Sequence, residues 1–139
     1  MRKLLKITLV TTAALSLSTS LFASDMSKLD VSKICNVENN GMKNVLASAV
    51  KYNTIAKKEG VEFKRLGMTT TQYINGIKAS QKSDSKTVDI LNKKKKKTGT
   101  VSISYATWRA CSFAVSALVQ KEEAKSTWRL AVPGDGFKY

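Results

Sequence analysis

Apolar and small residues recur at helical spacing between residues 41 and 60, in the stretch GMKNVLASAVKYNTIAKKEG. They form one face of a helix, and Lys57 and Lys58 stand in its last turn, where positive charge complements the helix dipole. Gly60 suits the left-handed residue that ends many helices. The pattern therefore predicts a helix over 42–59. Its predicted inner face comprises Met42, Val45, Leu46, Ala49, Asn53 and Ala56, widened by Val50 and Ile55.

A second helix is predicted over residues 71–82, after a run of three threonines that can cap its first turn. Tyr73, Ile74 and Ile77 share one face of this helix. Gly76 weakens its interior by up to about 1 kcal/mol relative to alanine. We interpret it as a tolerated glycine, with close packing against another helix as the alternative.

Shorter elements are predicted on either side of the first helix. Residues 30–40 are typical of a short helix and a turn, with Asp30 as the helix cap. Apolar residues alternate in VEFKRLGM, residues 61–68, which predicts a short extended segment.

The stretch from residue 101 to residue 124, VSISYATWRACSFAVSALVQKEEA, fits both helical and alternating periods. Its length favours a helix, because strands seldom exceed about ten residues, and a helix is predicted over 104–124. Tyr105 and Trp108 fall on the apolar stripe of that helix, so both are predicted to pack in the core. The predicted stripe comprises Val101, Tyr105, Trp108, Cys111 or Ser112, Val115, Leu118 and Glu122.

The segment before this helix leaves two architectures open. TVDIL, residues 87–91, can pair with residues 101–103 as a hairpin whose tip is NKKKKKTG. The predicted fold is mainly α, with three to four helices. The alternative is α+β, with a short hairpin around residues 87–105.

The N-terminal residues MRKLLKITLVTTAALSLSTSLFAS have the organisation of a secretory signal peptide. Basic residues precede an apolar stretch that is rich in Ser and Thr and too short for a good membrane span. We expect residues 1–23 to be removed and residues 24–139 to form one small exported domain without a transmembrane span. The signal fits bacterial export to the periplasm, with the extracellular space as the alternative.

Charge and cysteine content add two expectations. The chain has 24 basic and 10 acidic residues, and loss of residues 1–23 leaves a formal charge of +11, which favours anionic partners. In an oxidising compartment its two cysteines allow one intramolecular pair. A disulfide between Cys35 and Cys111 is therefore predicted. It would close a loop of about 75 residues, and the lost entropy of the unfolded chain would stabilise the fold by roughly 4–5 kcal/mol.

The sequence lacks the residues that several kinds of catalytic and metal-binding sites require. It has no histidine, no C-x-x-C pair and no phosphate-binding loop of the G-x-x-x-x-G-K-[ST] form. Its acids are scattered, apart from the neighbours Glu122 and Glu123, which cannot face each other across a substrate. We predict no catalytic residue, no cofactor and no metal site. A non-catalytic protein is favoured, and an enzyme of unfamiliar type is the alternative.

Five consecutive lysines, Lys93, Lys94, Lys95, Lys96 and Lys97, are the candidate anion-binding residues. Mutual repulsion should keep them solvated and out of helix or sheet pairing, so one interpretation is a mobile loop without a ligand. The other is weak electrostatic binding, at about 1 kcal/mol per lysine near an anionic bilayer. An exported protein meets headgroups, lipid-linked glycans and wall carboxylates before nucleic acid, so nucleic acid is not the expected partner.

Two non-catalytic hypotheses follow from these features. The first is a small basic protein that contacts an anionic envelope component or an acidic protein partner. The second is an accessory or structural subunit of an envelope assembly, held by the apolar C-terminal tail. Neither hypothesis specifies an oligomeric state.

Overall fold

The structure is a computed structural model that describes residues 26–65, 67–92 and 94–127. The predicted signal peptide, Lys93 and the C-terminal tail lie outside these residues. The described elements, in chain order, are a 3-10 turn (Met26–Lys28), α1 (Val31–Ile34), α2 (Val37–Asn40), α3 (Met42–Lys58), β1 (Lys64–Arg65), β2 (Met68–Thr69), α4 (Thr70–Lys82), β3 (Thr87–Leu91), β4 (Lys97–Ser102) and α5 (Ile103–Thr127). The mainly helical prediction is confirmed, and the hairpin of the α+β alternative is also present.

Helix α5 is the centre of the packing. It contacts α3 and α4 on one side and the short α1 and α2 segments near its first half. Cys35 and Cys111 are both buried, and their sulfur atoms are 2.01 Å apart across a Cα–Cα distance of 5.5 Å. The predicted cysteine pair is thus present, and it ties the N-terminal helices to the middle of α5.

The buried face of α5 agrees with the predicted stripe at Cys111, Val115 and Leu118 and differs from it at Tyr105 and Trp108. It consists mainly of small residues: Ala106, Thr107, Ala110, Cys111, Ala114, Val115, Ala117 and Leu118. Small side chains let α5 approach α3, where Ala49 and Ala56 are fully buried. The prediction that Tyr105 and Trp108 pack in the core is wrong: they are 41% and 42% exposed. The closely packed face through Cys111 has no room for large rings, so they lie beside it.

The helix ends follow the predicted signals. Asp30 accepts a hydrogen bond from the amide of Lys33 at the start of α1. At the end of α3, Gly60 has φ +70° and donates to the carbonyl of Lys57, while Val61 donates to Ala56. This pair of bonds is a Schellman motif, and it places Gly60 at the predicted position.

Thr69 is the threonine that caps α4. Its hydroxyl accepts from the amide of Gln72, and the Gln72 side chain accepts from the amide of Thr69. These two reciprocal bonds form a capping box. The helix buries Tyr73, Ile74 and Ile77, which is the face that their spacing predicted.

Strands β3 and β4 pair antiparallel, with Val88 opposite Val101 and Thr87 opposite Ser102. Val88 is fully buried against α4. A β-carbon at Gly76 of α4 would lie 2.8 Å from Cγ1 of Val88. The interpretation of Gly76 as a merely tolerated glycine is therefore wrong. The residue has no side chain because a strand, rather than another helix, packs against it.

Candidate anion-binding site

Asn92 organises the turn that carries the lysines. Its side-chain oxygen accepts from the backbone amides of Lys94 and Lys96 at 2.9 and 3.0 Å. The backbone amide of Asn92 donates to the carbonyl of Lys96. The amide of Lys95 donates to the carbonyl of Asn92, and Lys95 takes a left-handed backbone with φ +60°. The described part of the turn is therefore held by four hydrogen bonds to one residue.

Lys97 behaves differently from the rest of the run. It belongs to β4, opposite Leu91, and its ammonium lies 2.8 Å from a carboxylate oxygen of Asp89. The expectation that all five lysines avoid sheet pairing is wrong for Lys97, because Asp89 compensates its charge across the hairpin. Lys94, Lys95 and Lys96 are exposed, as is Lys97.

A cleft of about 440 Å³ lies between this turn and the β1–β2 hairpin. Two lysines from distant parts of the chain, Lys64 of β1 and Lys95 of the turn, line it together. The other described lining residues are neutral: Gly67, Thr69, Gln72 and Asn92. We call these six residues the lysine cleft. Since none of its described lining residues is acidic, the two lysines give the lining of the lysine cleft a positive charge.

The lysine cleft opens at the first turn of α4, where the helix dipole adds positive potential. The backbone amides of that turn are already used, however. Thr70 donates to the carbonyl of Phe63, Thr71 to Glu62, and Gln72 to the Thr69 hydroxyl. A bound anion would therefore be held by the side chains of the lysine cleft rather than by these amides.

Glu62 occupies the other side of the same helix end. Partial burial raises the pKa of its carboxyl group, but hydrogen bonds from the Thr71 hydroxyl and amide and from Asn53 outweigh that effect. The pKa of Glu62 consequently lies below its ordinary value, and the group stays ionised at neutral pH. It acts as a fixed charge that caps α4 from outside the lysine cleft.

No protein-family model, curated protein or solved structure matches this chain. What the lysine cleft can do is therefore argued from its own chemistry. Two ammonium groups and the amide groups of Gln72 and Asn92 are hydrogen-bond donors, and together they suit phosphate or carboxylate oxygens.

Another groove, between α4 and β3, has the wrong chemistry for an anion. It measures about 570 Å³, and its lining is mostly hydroxyl, amide and apolar. The one charged residue that lines it is Asp89. Within the three described ranges, the structure contains no cluster of three or more acidic or cysteine side chains that could hold a metal ion. None of the described helices is both long enough and apolar enough to cross a bilayer.

Lys64 is the member of the candidate site that lies outside the predicted anion-binding run, residues 93–97. The alternation in VEFKRLGM predicted an extended segment, and the chain does form β1 and β2 there. The sequence pattern does not indicate that this hairpin lies beside the turn at Asn92. Lys64 and Asn92 are 28 positions apart, and no periodicity links them. Of the lysine run, Lys95 is the member that the structure places on the lysine cleft.

Proposed function

We propose that this protein is a non-catalytic, exported basic protein that binds an anionic envelope component through the lysine cleft. The observation that carries the proposal is that Lys64 and Lys95 line one cleft whose other described lining residues are all neutral. The signal-like N-terminus and the formal charge of +11 after its removal support an anionic surface as the partner. The chemical group is an exposed phosphate or carboxylate, such as a phospholipid headgroup.

The expected affinity is low. Lys64, Lys94, Lys95 and Lys96 are all exposed, and each lysine near an anionic bilayer is worth about 1 kcal/mol. A total of about 4 kcal/mol corresponds to a dissociation constant near 1 mM. Binding of this kind weakens as salt is added, because the Debye length falls to about 8 Å at physiological ionic strength. The function is therefore reversible attachment to an anionic surface.

The test is co-sedimentation of the mature chain with phosphatidylcholine vesicles that do or do not contain phosphatidylglycerol. We expect binding to the anionic vesicles alone, and its loss at high salt. Lys95→Asn removes one charge and retains a residue type that tolerates a left-handed backbone, so the turn is preserved. It should weaken binding about fivefold, as should Lys64→Gln.

The matched control is Lys43→Gln, which removes the same charge from an exposed position of α3 outside the lysine cleft. It should change binding by less than about twofold, because screening reduces the contribution of a distant charge. Equal losses in all three variants would mean that net charge, not the lysine cleft, governs attachment. Absence of binding at low salt would refute a lipid headgroup as the anion. Salt-sensitive capture on immobilised polyglutamate would then identify an acidic protein surface as the alternative partner.

A further inference from the structure

Two large aromatic side chains are exposed at positions that do not belong to the lysine cleft. Tyr105 and Trp108 on the first turns of α5 are the exposed large hydrophobic residues among those that the structure describes. Their ring centroids are 5.5 Å apart, and the planes are tilted by 43°. At 41% and 42% exposure, the two residues leave apolar ring surface in contact with water.

The Tyr105 ring is held in position by neighbouring side chains. Arg109 donates a hydrogen bond to the Tyr105 hydroxyl, and its guanidinium carbon lies 5.5 Å from the ring centroid. The same guanidinium lies 5.0 Å from the ring of Phe113, which stacks on Phe63 at 4.4 Å. This chain of contacts anchors Tyr105 to the core. A ring fixed in this way loses little conformational entropy when it binds a ligand.

The two aromatic rings form one wall of a groove of about 540 Å³, within the roughly 300–1,000 Å³ of small-ligand sites. The facing wall comes from α1 and α2. The Cys35–Cys111 disulfide joins the two walls. The polar residues that line the groove are Ser32, Asn36, Glu38, Ser102 and Ser104. We call this the aromatic groove.

The polar groups of the aromatic groove retain hydrogen-bonding capacity. Asn36 uses its side-chain oxygen to cap α2 through the amide of Asn39, which leaves its NH₂ group as a donor. Ser102 accepts from the amide of Tyr105, which leaves its hydroxyl proton as a donor. Glu38 is exposed at the groove and provides acceptors. Donors and acceptors therefore surround an aromatic platform.

Composition and charge identify the class of ligand. Glu38 is the one charged residue that lines the aromatic groove, so an anion is disfavoured there. The high positive charge of the chain disfavours a cation at long range. Tyrosine and tryptophan are enriched in the cores of protein interfaces, whereas serine and glutamate are depleted there, so the hydroxyl-rich wall is the part of the groove that favours a small polar ligand over a protein. A neutral, polyhydroxylated molecule with an apolar C–H face matches both the aromatic rings and the hydroxyl-rich wall.

We propose that the aromatic groove binds a neutral saccharide, with one sugar ring stacked on Trp108 and its hydroxyls bonded by Asn36, Glu38 and the serines. The positively polarised C–H bonds of a sugar face complement the negative face of the indole. This proposal does not depend on the lysine cleft, whose residues are different.

The probes are three soluble trisaccharides: maltotriose, cellotriose and the trimer of N-acetylglucosamine. Because the chain has two tryptophans, Trp128→Phe makes Trp108 the sole indole reporter. We expect a saturable change in its fluorescence with at least one probe. Calorimetric titration of the unsubstituted mature chain provides a second measurement that does not need this variant. Trp108→Ala, at an exposed site, should weaken binding about tenfold, whereas Lys95→Asn should leave it unchanged.

Three results would overturn the proposal. One is the absence of saturable binding with all three probes at millimolar concentration, by calorimetry as well as fluorescence. Another is unchanged saccharide affinity in Trp108→Ala. The third is self-association of the chain that Trp108→Ala abolishes while no saccharide binds, since the aromatic groove would then be a protein contact.

Discussion

Replacement of Gly76 by alanine should destabilise the protein, although alanine is the better helix former. The added β-carbon would lie 2.8 Å from Cγ1 of Val88, and Val88 is fully buried and stiff at χ1. Overpacking of this kind costs typically about 1–3 kcal/mol. The helix-propensity gain offsets up to about 1 kcal/mol of that. With the full offset subtracted, the expected net loss in free energy of unfolding is about 1 kcal/mol, within a range of about 0–2 kcal/mol.

The sign of the effect should reverse when its cause is removed. Val88→Ala alone creates a cavity and should be destabilising. In that background, Gly76→Ala no longer meets a β-branched side chain, so it should stabilise by up to about 1 kcal/mol through helix propensity. The coupling in the double-mutant cycle should fall between about 1 and 3 kcal/mol.

The assay is urea unfolding followed by far-UV circular dichroism with the disulfide intact. Gly99→Ala is the matched control, because a β-carbon at Gly99 of β4 meets no atom within 4 Å. It should change the free energy of unfolding by less than about 0.5 kcal/mol. A stabilising Gly76→Ala in the unsubstituted chain, or additive effects in the cycle, would refute the close contact between α4 and β3.

Three further predictions concern charge, the disulfide and the lysine turn. The pKa of Glu62 lies below its ordinary value, so its contribution to stability is present above about pH 4.3 and is lost as the pH falls through the lower folded-state pKa. Glu62→Gln should cost about 1 kcal/mol at pH 7 and progressively less in acid, as measured by thermal unfolding at several pH values; a pH-independent difference would contradict this. Replacing Cys35 and Cys111 together by alanine should lower the free energy of unfolding by up to about 4.5 kcal/mol, because the closed loop spans 76 residues; unchanged urea unfolding would disprove a stabilising role. Asn92→Ala removes the acceptor for two amides of the turn and should increase their hydrogen-exchange rates at Lys94 and Lys96, while α5 stays protected; unchanged exchange there would mean that Asn92 does not order the turn.

The sequence was sufficient to predict the elements whose signals are local. The helix at α3, its inner face and its end at Gly60 follow from periodicity and a single glycine, and all three are confirmed. The same is true of the cap at Asp30 and of the cysteine pair, since two cysteines permit one pairing.

The inward face of α5 could not be predicted in the same way. The pattern of large apolar residues pointed to Tyr105 and Trp108, but the helix buries its alanines because it packs closely against α3, while the disulfide to Cys35 fixes its middle to the N-terminal helices. Large residues mark a core only where the neighbouring element leaves room for them.

The lysine cleft depends on tertiary packing in a similar manner. The run of lysines was evident in the sequence, yet its partner Lys64 and the compensation of Lys97 by Asp89 depend on where two hairpins lie. The packing of Gly76 likewise depends on a distant segment. A side chain at this position is excluded by Val88, which belongs to another element. Sequence periodicity carries no information about such contacts between distant segments.

The most direct test of the central claim is a double-mutant cycle between Lys64→Gln and Lys95→Asn, measured as partitioning onto vesicles that contain phosphatidylglycerol. If both ammonium groups hold the same anion, the second substitution should cost clearly less than it does alone, with a coupling of at least about 0.5 kcal/mol. A cycle between Lys43→Gln and Lys95→Asn should show no coupling. Additive losses for Lys64 and Lys95, equal to those of the control pair, would contradict the account, because the two lysines would then act as independent surface charges.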